Sequence, residues 1–359
     1  MHWSLIATRS TVRSCSRTSK TCIPMSATND THRRHVVTYS QGSPPAPQTR
    51  RRPARQRRLR GGQIALVVAA TIAVPVLVWA GVRFAGRDDD SARPGDLAAP
   101  GVSHVHGLGI NPADGSLIVA THYGSFRIPA DGDGAARIGD SFQDTMGFTV
   151  AGPDHFLGSG HPDVAGMQAG QPGQLGLIES DDAGATWTNL SLSGEVDFHG
   201  LAFAHDQVYG WDSGSGRFMV SRDRTEWETR STLDLYGFAV DPDDAEHVLG
   251  AAPGGLTESA DGGRTWAEAD GPQLLTLSWD ADAGLWGTDP GGTDPGGIVW
   301  HRSGADWERA GSLAGEPQAF LATPDELYAA AHDDAGVTGI YRSTDDGRTW
   351  ELRYQDTPQ

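Results

Sequence analysis

The sequence predicts an all-β chain, a six-bladed β-propeller of four-stranded sheets, preceded by one transmembrane helix and a disordered basic tail. Three observations carry this expectation. One octapeptide is written three times, with shortened copies between. Six similar strand meanders align with it. One uncharged run separates a basic N-terminal part from an acidic remainder.

The octapeptides are SDDAGATW (Ser180–Trp187), SADGGRTW (Ser259–Trp266) and STDDGRTW (Ser343–Trp350), all S-x-D-x-G-x-T-W. Shortened copies, SRDRTEW (Ser221–Trp227) and SGADW (Ser303–Trp307), bring the spacing between successive starts to 41, 38, 44 and 40 residues. A turn motif with a Trp at a period near 40 is the mark of radially repeated sheets. Gly184, Gly263 and Gly347 supply a position that accepts positive φ in a tight hairpin. Asp182, Asp261 and Asp345 can accept bonds from backbone N–H groups across the turn. The hydroxyls of Ser180, Ser259, Ser343, Thr186, Thr265 and Thr349 can add to them. Trp187, Trp266 and Trp350 then pack between neighbouring sheets. A calcium site is the other reading of a repeated carboxylate, but one Asp per turn is too small a ligand set for a hard cation.

The octapeptide resembles the Asp-box, or BNR repeat, of sialidases and of many non-enzymatic propellers, and with the shortened copies the resemblance runs from Val102 to Pro358. It implies that the box joins the third and fourth strands of each blade, on the face opposite an active site.

Six units align backwards from the boxes. Their first strands are VHGLGI, TMGFTV, FHGLAF, LYGFAV, LLTLSW and PQAFLA, beginning at Val105, Thr145, Phe198, Leu235, Leu274 and Pro317. Second strands such as LIVATH and QVYGWD follow turn signals like NPADG and DPDDAEH, and third strands such as RFMVS and GIYRS lead into the boxes. Six units over 104–359 give roughly 43 residues each, a common blade length. The strands run in order from first to last, so no strand is exchanged to close the ring.

Charge divides the chain. Residues 1–86 hold 14 Lys and Arg against one acid, Asp30; residues 87–359 hold 14 Arg, no Lys and 45 acids, a net charge of −31. Such a domain repels nucleic acid and attracts cations or basic partners. Ile64–Gly81 carries no charge and is about long enough to span a bilayer, and Pro75 is tolerated there. Arg50, Arg51, Arg52, Arg55, Arg57, Arg58 and Arg60 precede it and Asp88, Asp89 and Asp90 follow, which places the N-terminus in the cytoplasm and the propeller outside. The expected organisation is a basic cytoplasmic tail (1–62), a signal-anchor helix (63–86), a linker (87–103) and a monomeric propeller (104–359) on a single-pass cell-membrane protein. A cleaved signal peptide is the alternative, against which stand the long basic lead and the lack of an A-x-A site. Cys15 and Cys22 are the only cysteines, so the propeller needs no disulfide.

Strand direction places the start of each first strand and the end of each second strand on one face, the channel mouth. His104, His106, His122, His161, His199 and His332 map there. Met146 aligns with His106 and His199, and Asp144, Asp163, Asp197 and Asp212 lie in the same loops. Two readings follow. One is a transition-metal site of His106, His122, His161 and His199, with Met146, His104 and His332 as extra ligands, suited to zinc or, with the thioether, copper. The other is a wet pore lined by polar side chains. Hydrolysis of a glycan by Asp144 and Asp197, with Tyr123 or Tyr236 nearby, is a third.

The family resemblance implies that a sialidase would need three arginines, a Tyr nucleophile with a Glu partner and an Asp acid/base. Only Arg93, Arg127 and Arg217 lie near the mouth, which argues against carboxylate recognition. Phe126–Pro129 spells FRIP, a sialidase motif, yet falls in a third strand rather than a first. Binding of a protein, a glycan or a metal is therefore the leading expectation, with a glycoside hydrolase or an assembly scaffold for a membrane complex as alternatives. The loop Pro162–Gln174 is a candidate flap over the histidines or a plain surface insertion.

Overall fold

The computed structural model describes residues 101–355 except 133, 291–295 and 334. The expected tail and membrane span, and most of the linker, lie outside the described residues. Among the described residues no helix is long and apolar enough to cross a membrane.

Among the described residues twenty-four strands form six four-stranded antiparallel sheets, each in chain order. Blade 1 is β1 (Val105–Ile110), β2 (Leu117–Thr121), β3 (Gly124–Ile128) and β4 (Ala136–Arg137). Blade 2 is β5 (Asp144–Gly152), β6 (His155–His161), β7 (Leu177–Ser180) and β8 (Thr188–Ser191), with the short helix α1 (Val164–Gln168) between β6 and β7. Blade 3 is β9 (Phe198–Ala204), β10 (Gln207–Asp212), β11 (Arg217–Ser221) and β12 (Glu228–Thr232). Blade 4 is β13 (Gly237–Val240), β14 (Val248–Ala252), β15 (Gly255–Ser259) and β16 (Ala267–Ala269). Blade 5 is β17 (Thr276–Asp280), β18 (Gly284–Asp289), β19 (Ile298–Ser303) and β20 (Asp306–Ser312). Blade 6 is β21 (Glu316–Ala322), β22 (Leu327–His332), β23 (Thr338–Ser343) and β24 (Glu351–Gln355). The six-bladed expectation holds, and among the described residues no strand is exchanged between sheets.

The first strand of each blade lines a central channel of about 930 Å³. Equivalent glycines let these strands approach one another. A Cβ on Gly107 would lie 2.8 Å from the Phe148 Cβ, and one on Gly147 would lie 2.4 Å from the Phe198 carbonyl oxygen. Any side chain there would push adjacent blades apart.

Each octapeptide closes the hairpin between the third and fourth strands with the same bonds. In the second copy the Ser259 hydroxyl donates to Asp261 Oδ1 at 2.8 Å and accepts from the Gly263 N–H at 2.8 Å. Asp261 accepts from the Thr265 N–H at 2.8 Å and its hydroxyl at 2.7 Å. The copies at Ser180 and Ser343 repeat this. Gly263 has φ of 89°, and a Cβ there would meet the Phe218 ring of the preceding blade at 2.3 Å.

The Trp of each copy wedges between its own blade and the preceding one. Trp266 packs with Tyr209 and Phe218 of blade 3 and donates to Ser231 Oγ at 2.9 Å. Trp187 joins Ile118 and Ala120 of blade 1, and Trp350 joins Val299 of blade 5. The shortened copies keep this role: Trp227 donates to Ser191 Oγ of blade 2, and Trp307 packs with Leu249 and Leu256 of blade 4. Between blades 6 and 1 the core joins Ala319, Tyr328 and Ile340 to Val105, Val119 and Phe126. Arg353 of β24 reaches across this seam to the Gly132 carbonyl at 2.7 Å.

Ser259→Ala leaves the buried Gly263 N–H without its acceptor and should lower unfolding free energy by about 1–3 kcal/mol in a urea titration. Thr265 hydroxyl and backbone bonds pull the Asp261 pKa from 3.8 down to about 2. A depressed carboxyl stabilises the fold above its unfolded pKa and loses that contribution as pH falls through the folded value. Acid titration followed by Trp fluorescence should therefore show the hairpins loosening as pH drops from 3.8 towards 2, a step that Asp261→Asn reduces and that persists in part through Asp182 and Asp345, which the same bonds depress.

Candidate functional site

A recurrent irregularity builds the channel mouth. In the β1–β2 pair the register skips from Val105 to Gly107, in β5–β6 from Thr145 to Gly147, in β9–β10 from Phe198 to Gly200, and in β21–β22 from Pro317 to Ala319. The extra residues are His106, Met146, His199 and Gln318. In blades 4 and 5 Tyr236 and Leu275 donate their N–H groups to Ala251 and Thr288, the residues that also pair with the following Gly237 and Thr276. A β-bulge thus stands at one level of four inner strands, with Tyr236 and Leu275 just ahead of the other two, and a bulge re-aims its extra side chain. All six of these side chains line the channel.

The histidines gather on two aspartates rather than at one point. His106 Nε2 lies 3.3 Å from Asp144 Oδ1, and His122 Nδ1 lies 3.0 Å from Asp144 Oδ2. The ligand atoms of these three residues fall within 4.8 Å of one another. His106 Nε2 and Asp144 Oδ1 are both buried and neither makes a hydrogen bond. One blade on, Asp197 Oδ2 is hydrogen-bonded to His199 Nε2 at 2.9 Å and lies 3.3 Å from His161 Nε2. His161 is turned by its Nδ1–H, which donates to the Gly173 carbonyl at 2.7 Å. This second trio is not among the sets of described residues that bring ligand atoms within 4.8 Å. The four histidines expected to share one site thus stand in two trios, because each Asp opens or precedes an inner strand and lies beside the side chains of its own seam.

His104 and His332 do not extend the first trio. Gln318 accepts from the Val105 N–H at 3.1 Å, which fixes its amide orientation. Its NH2 then donates to His104 Nδ1 at 3.3 Å and His332 Nδ1 at 3.1 Å. Burial, and then the imidazoles of His106 and His122, hold the His104 pKa below its ordinary 6.5. His332 Nε2 faces Glu316 at 3.4 Å. Nothing in the sequence beyond its aligned position marks Gln318 as the residue that sets these two tautomers. Met146 stands in the channel between His106 and His199.

Of the proposed catalytic groups, Asp144 and Asp197 each lie within 3.3 Å of two imidazole nitrogens. Tyr123 packs edge-on to His122 with centroids 5.0 Å apart, and Tyr236 stands exposed at the channel. Arg127 of the FRIP segment is ion-paired to Asp114 in the β1–β2 turn, away from the mouth. Arg217 is bound to Asp212 at 3.0 Å. No arginine cluster for a substrate carboxylate exists among the described residues. The 162–174 loop holds α1, capped by Asp163, which accepts from the Gly166 N–H at 2.7 Å and the Phe142 N–H at 3.0 Å.

On the opposite face His155, Glu179 and Asp181 also come within 4.8 Å. There Arg224 Nη1 sits 3.2 Å from His155 Nε2 and bonds Glu179, so a guanidinium already supplies the cation. His247 is held between Asp241 Oδ2 and Glu258 Oε1, both at 2.7 Å. Its burial lowers the imidazole pKa, but the bonds to Glu258 and Asp241 outweigh that and raise it above 6.5.

No family model matches the sequence, and no curated protein matches it. Solved structures match the fold. The GH74 enzyme of Niastella koreensis is 14% identical, with a TM-score of 0.52, over 72% of this chain and 46% of that one. The nidogen/laminin complex matches at 13% identity and a TM-score of 0.50, over 68% of this chain and 93% of that one. YCF48 bound to D1 peptide matches at 12% and a TM-score of 0.43, over 74% and 85%. The chain spans less than half the length of the GH74 enzymes, 40% to 46%. Likeness at this identity establishes the propeller fold alone.

A His with a raised folded pKa stabilises below its unfolded value, and the contribution is lost as pH rises through the folded value. His247→Ala should therefore lower the thermal midpoint clearly at about pH 5.5 and much less at about pH 9, read by circular dichroism.

Proposed function

We propose that this chain is a membrane-anchored, extracytoplasmic propeller whose channel mouth binds a divalent transition-metal ion, zinc or copper, through His106, His122 and Asp144. The observation that carries the reading is the pair of buried atoms, His106 Nε2 and Asp144 Oδ1, that face each other at 3.3 Å without a hydrogen bond. Leaving both desolvated is costly unless a third atom joins them. A tetrahedral ion with bonds of about 2.1 Å holds its ligands about 3.4 Å apart. The observed 3.3 and 3.0 Å separations fit that span. Two imidazoles and a carboxylate suit zinc, copper or iron, and three protein ligands leave a position open toward the mouth. The acid-rich domain raises the local concentration of cations. The uncharged Ile64–Gly81 run and its arginine-rich lead support the anchor and the orientation.

Glycoside hydrolysis is the weaker reading. It needs one carboxyl free to donate a proton and another free to attack or activate water. Asp144 and Asp197 each have two imidazole nitrogens within 3.3 Å instead. A role as assembly scaffold requires no particular chemistry at the mouth and leaves the orphaned pair unexplained.

Full-length protein purified in detergent, loaded with zinc or copper and desalted, should retain about one equivalent, and His106→Ala or Asp144→Asn should weaken binding about a hundredfold or more. His199→Ala should leave that equivalent in place. Metal content equal in wild type and both ligand variants would overturn the assignment.

A further inference from the structure

Six large apolar side chains are exposed among the described residues: Tyr123, Phe142, Val164, Met167, Tyr236 and Leu352. The first five stand on the channel-mouth face, and four of them belong to the loops over blades 1 and 2. These four are 37% to 64% exposed.

The four form one supported surface. The Gly124 N–H donates to the Gln143 carbonyl at 2.9 Å, which ties the Tyr123 turn to the Phe142 loop. The Arg137 guanidinium lies 4.2 Å from the Phe142 ring centroid and donates to the Tyr123 carbonyl. Asp163 caps α1 and also accepts from the Phe142 N–H, so the helix is fastened beside that ring. Val164 and Met167, three residues apart on α1, share a helix face, and α1 buries no residue of its own. Hydrogen bonds thus hold in place an apolar surface that contributes nothing to the core. Solvated apolar groups held in one place are what a binding surface requires.

The charge around them selects the partner. The mouth-face loops carry Asp140, Asp163, Glu195, Asp234, Asp270 and Asp333, and no Lys or Arg among the described residues. The two guanidiniums near this face are committed, Arg137 beneath Phe142 and Arg217 to Asp212. An acidic rim repels nucleic acid, anionic lipid and a second copy of itself. It favours a chain that brings apolar side chains with positive charge beside them. We infer that the mouth face over blades 1 and 2 docks a polypeptide segment whose aromatic or aliphatic residues are flanked by Lys or Arg. The apolar side chains would cover Tyr123, Phe142 and Met167, and the cations would face Asp140 and Glu195. This inference stands apart from the metal site and needs no ion.

The test is selection of a displayed random short-peptide library on immobilised full-length protein, followed by fluorescence anisotropy with the selected peptides made synthetically. Enriched peptides should combine Lys or Arg with Phe, Trp, Leu or Met. The double variant Phe142→Ser/Met167→Ser should weaken them about tenfold or more, as should Asp140→Lys/Glu195→Lys. Leu352→Ser, on the outer strand of blade 6, should not. Folding of each variant is checked by its thermal midpoint. Binding should persist in EDTA and fall with rising salt. Failure to enrich any peptide, enrichment of peptides without basic residues, or affinities unchanged in both double variants would overturn the inference. Binding lost in EDTA but kept in the Phe142→Ser/Met167→Ser variant would overturn it too, by moving capture to the metal site.

Discussion

The indole wedged between successive blades is the contact on which the rest depends. A four-stranded blade has two faces to cover, and in a propeller only its neighbours cover them. Trp187, Trp227, Trp266, Trp307 and Trp350 stand at that seam for blades 2 to 6. Each of these indoles is partly buried, so it contributes less than the roughly 5 kcal/mol that burying a whole ring of about 200 Å² would give at about 25 cal/mol/Å². The Ser–Asp–Gly–Thr turn before it serves that wedge. Its hydroxyl and carboxylate bonds hold the hairpin so that the ring enters the seam at one angle. Blade 1 lacks this Trp, and there the ring closes by a continuous apolar core and by Arg353, without an exchanged strand.

Closing the ring determines what the channel sees. The inner strands approach closely because glycine occupies Gly107, Gly147 and Gly200. The bulge beside each glycine turns the preceding side chain inward. His106, Met146 and His199 therefore stand at one level, but on separate strands. The aspartates that open the seams gather imidazoles locally, which produces two trios instead of one ring. Gln318, bulged into the same level from blade 6, spends its amide on His104 and His332 and removes their Nδ1 atoms from other chemistry. Only the first trio keeps buried donor and acceptor atoms facing one another with nothing between them.

The mouth face thus carries two kinds of surface side by side. One is a compact set of imidazole nitrogens and carboxylate oxygens at the seam of blades 1 and 2. The other is an exposed apolar patch fastened by Asp163 and Arg137, in a rim whose loops carry carboxylates and, among the described residues, no Lys or Arg. Both lie in a domain with a large excess of acidic side chains, so the field at each is negative. The propellers that share this fold differ in what they hold, and the fold does not choose among them.

The sequence by itself determined the number of blades, their strand order and the seam-filling role of the indoles, because each is written locally. A turn motif specifies its own hairpin, and a period near 40 residues with a Trp in each unit leaves few other architectures. It also determined which side chains reach the mouth, since strand direction alone sorts His106, His122, His161 and His199 from His155 and His247. Only the tertiary structure decided how they group. Alternation along a strand assumes regular pairing, and a bulge adds a residue without any sign in the sequence. The distance between His106 and Asp144, 38 positions apart in sequence, depends on how closely two blades pack at a glycine. The apolar patch was hidden for the same reason. Tyr123, Phe142 and Met167 lie in three different loops, and nothing but the packing of blade 1 against blade 2 makes them one surface.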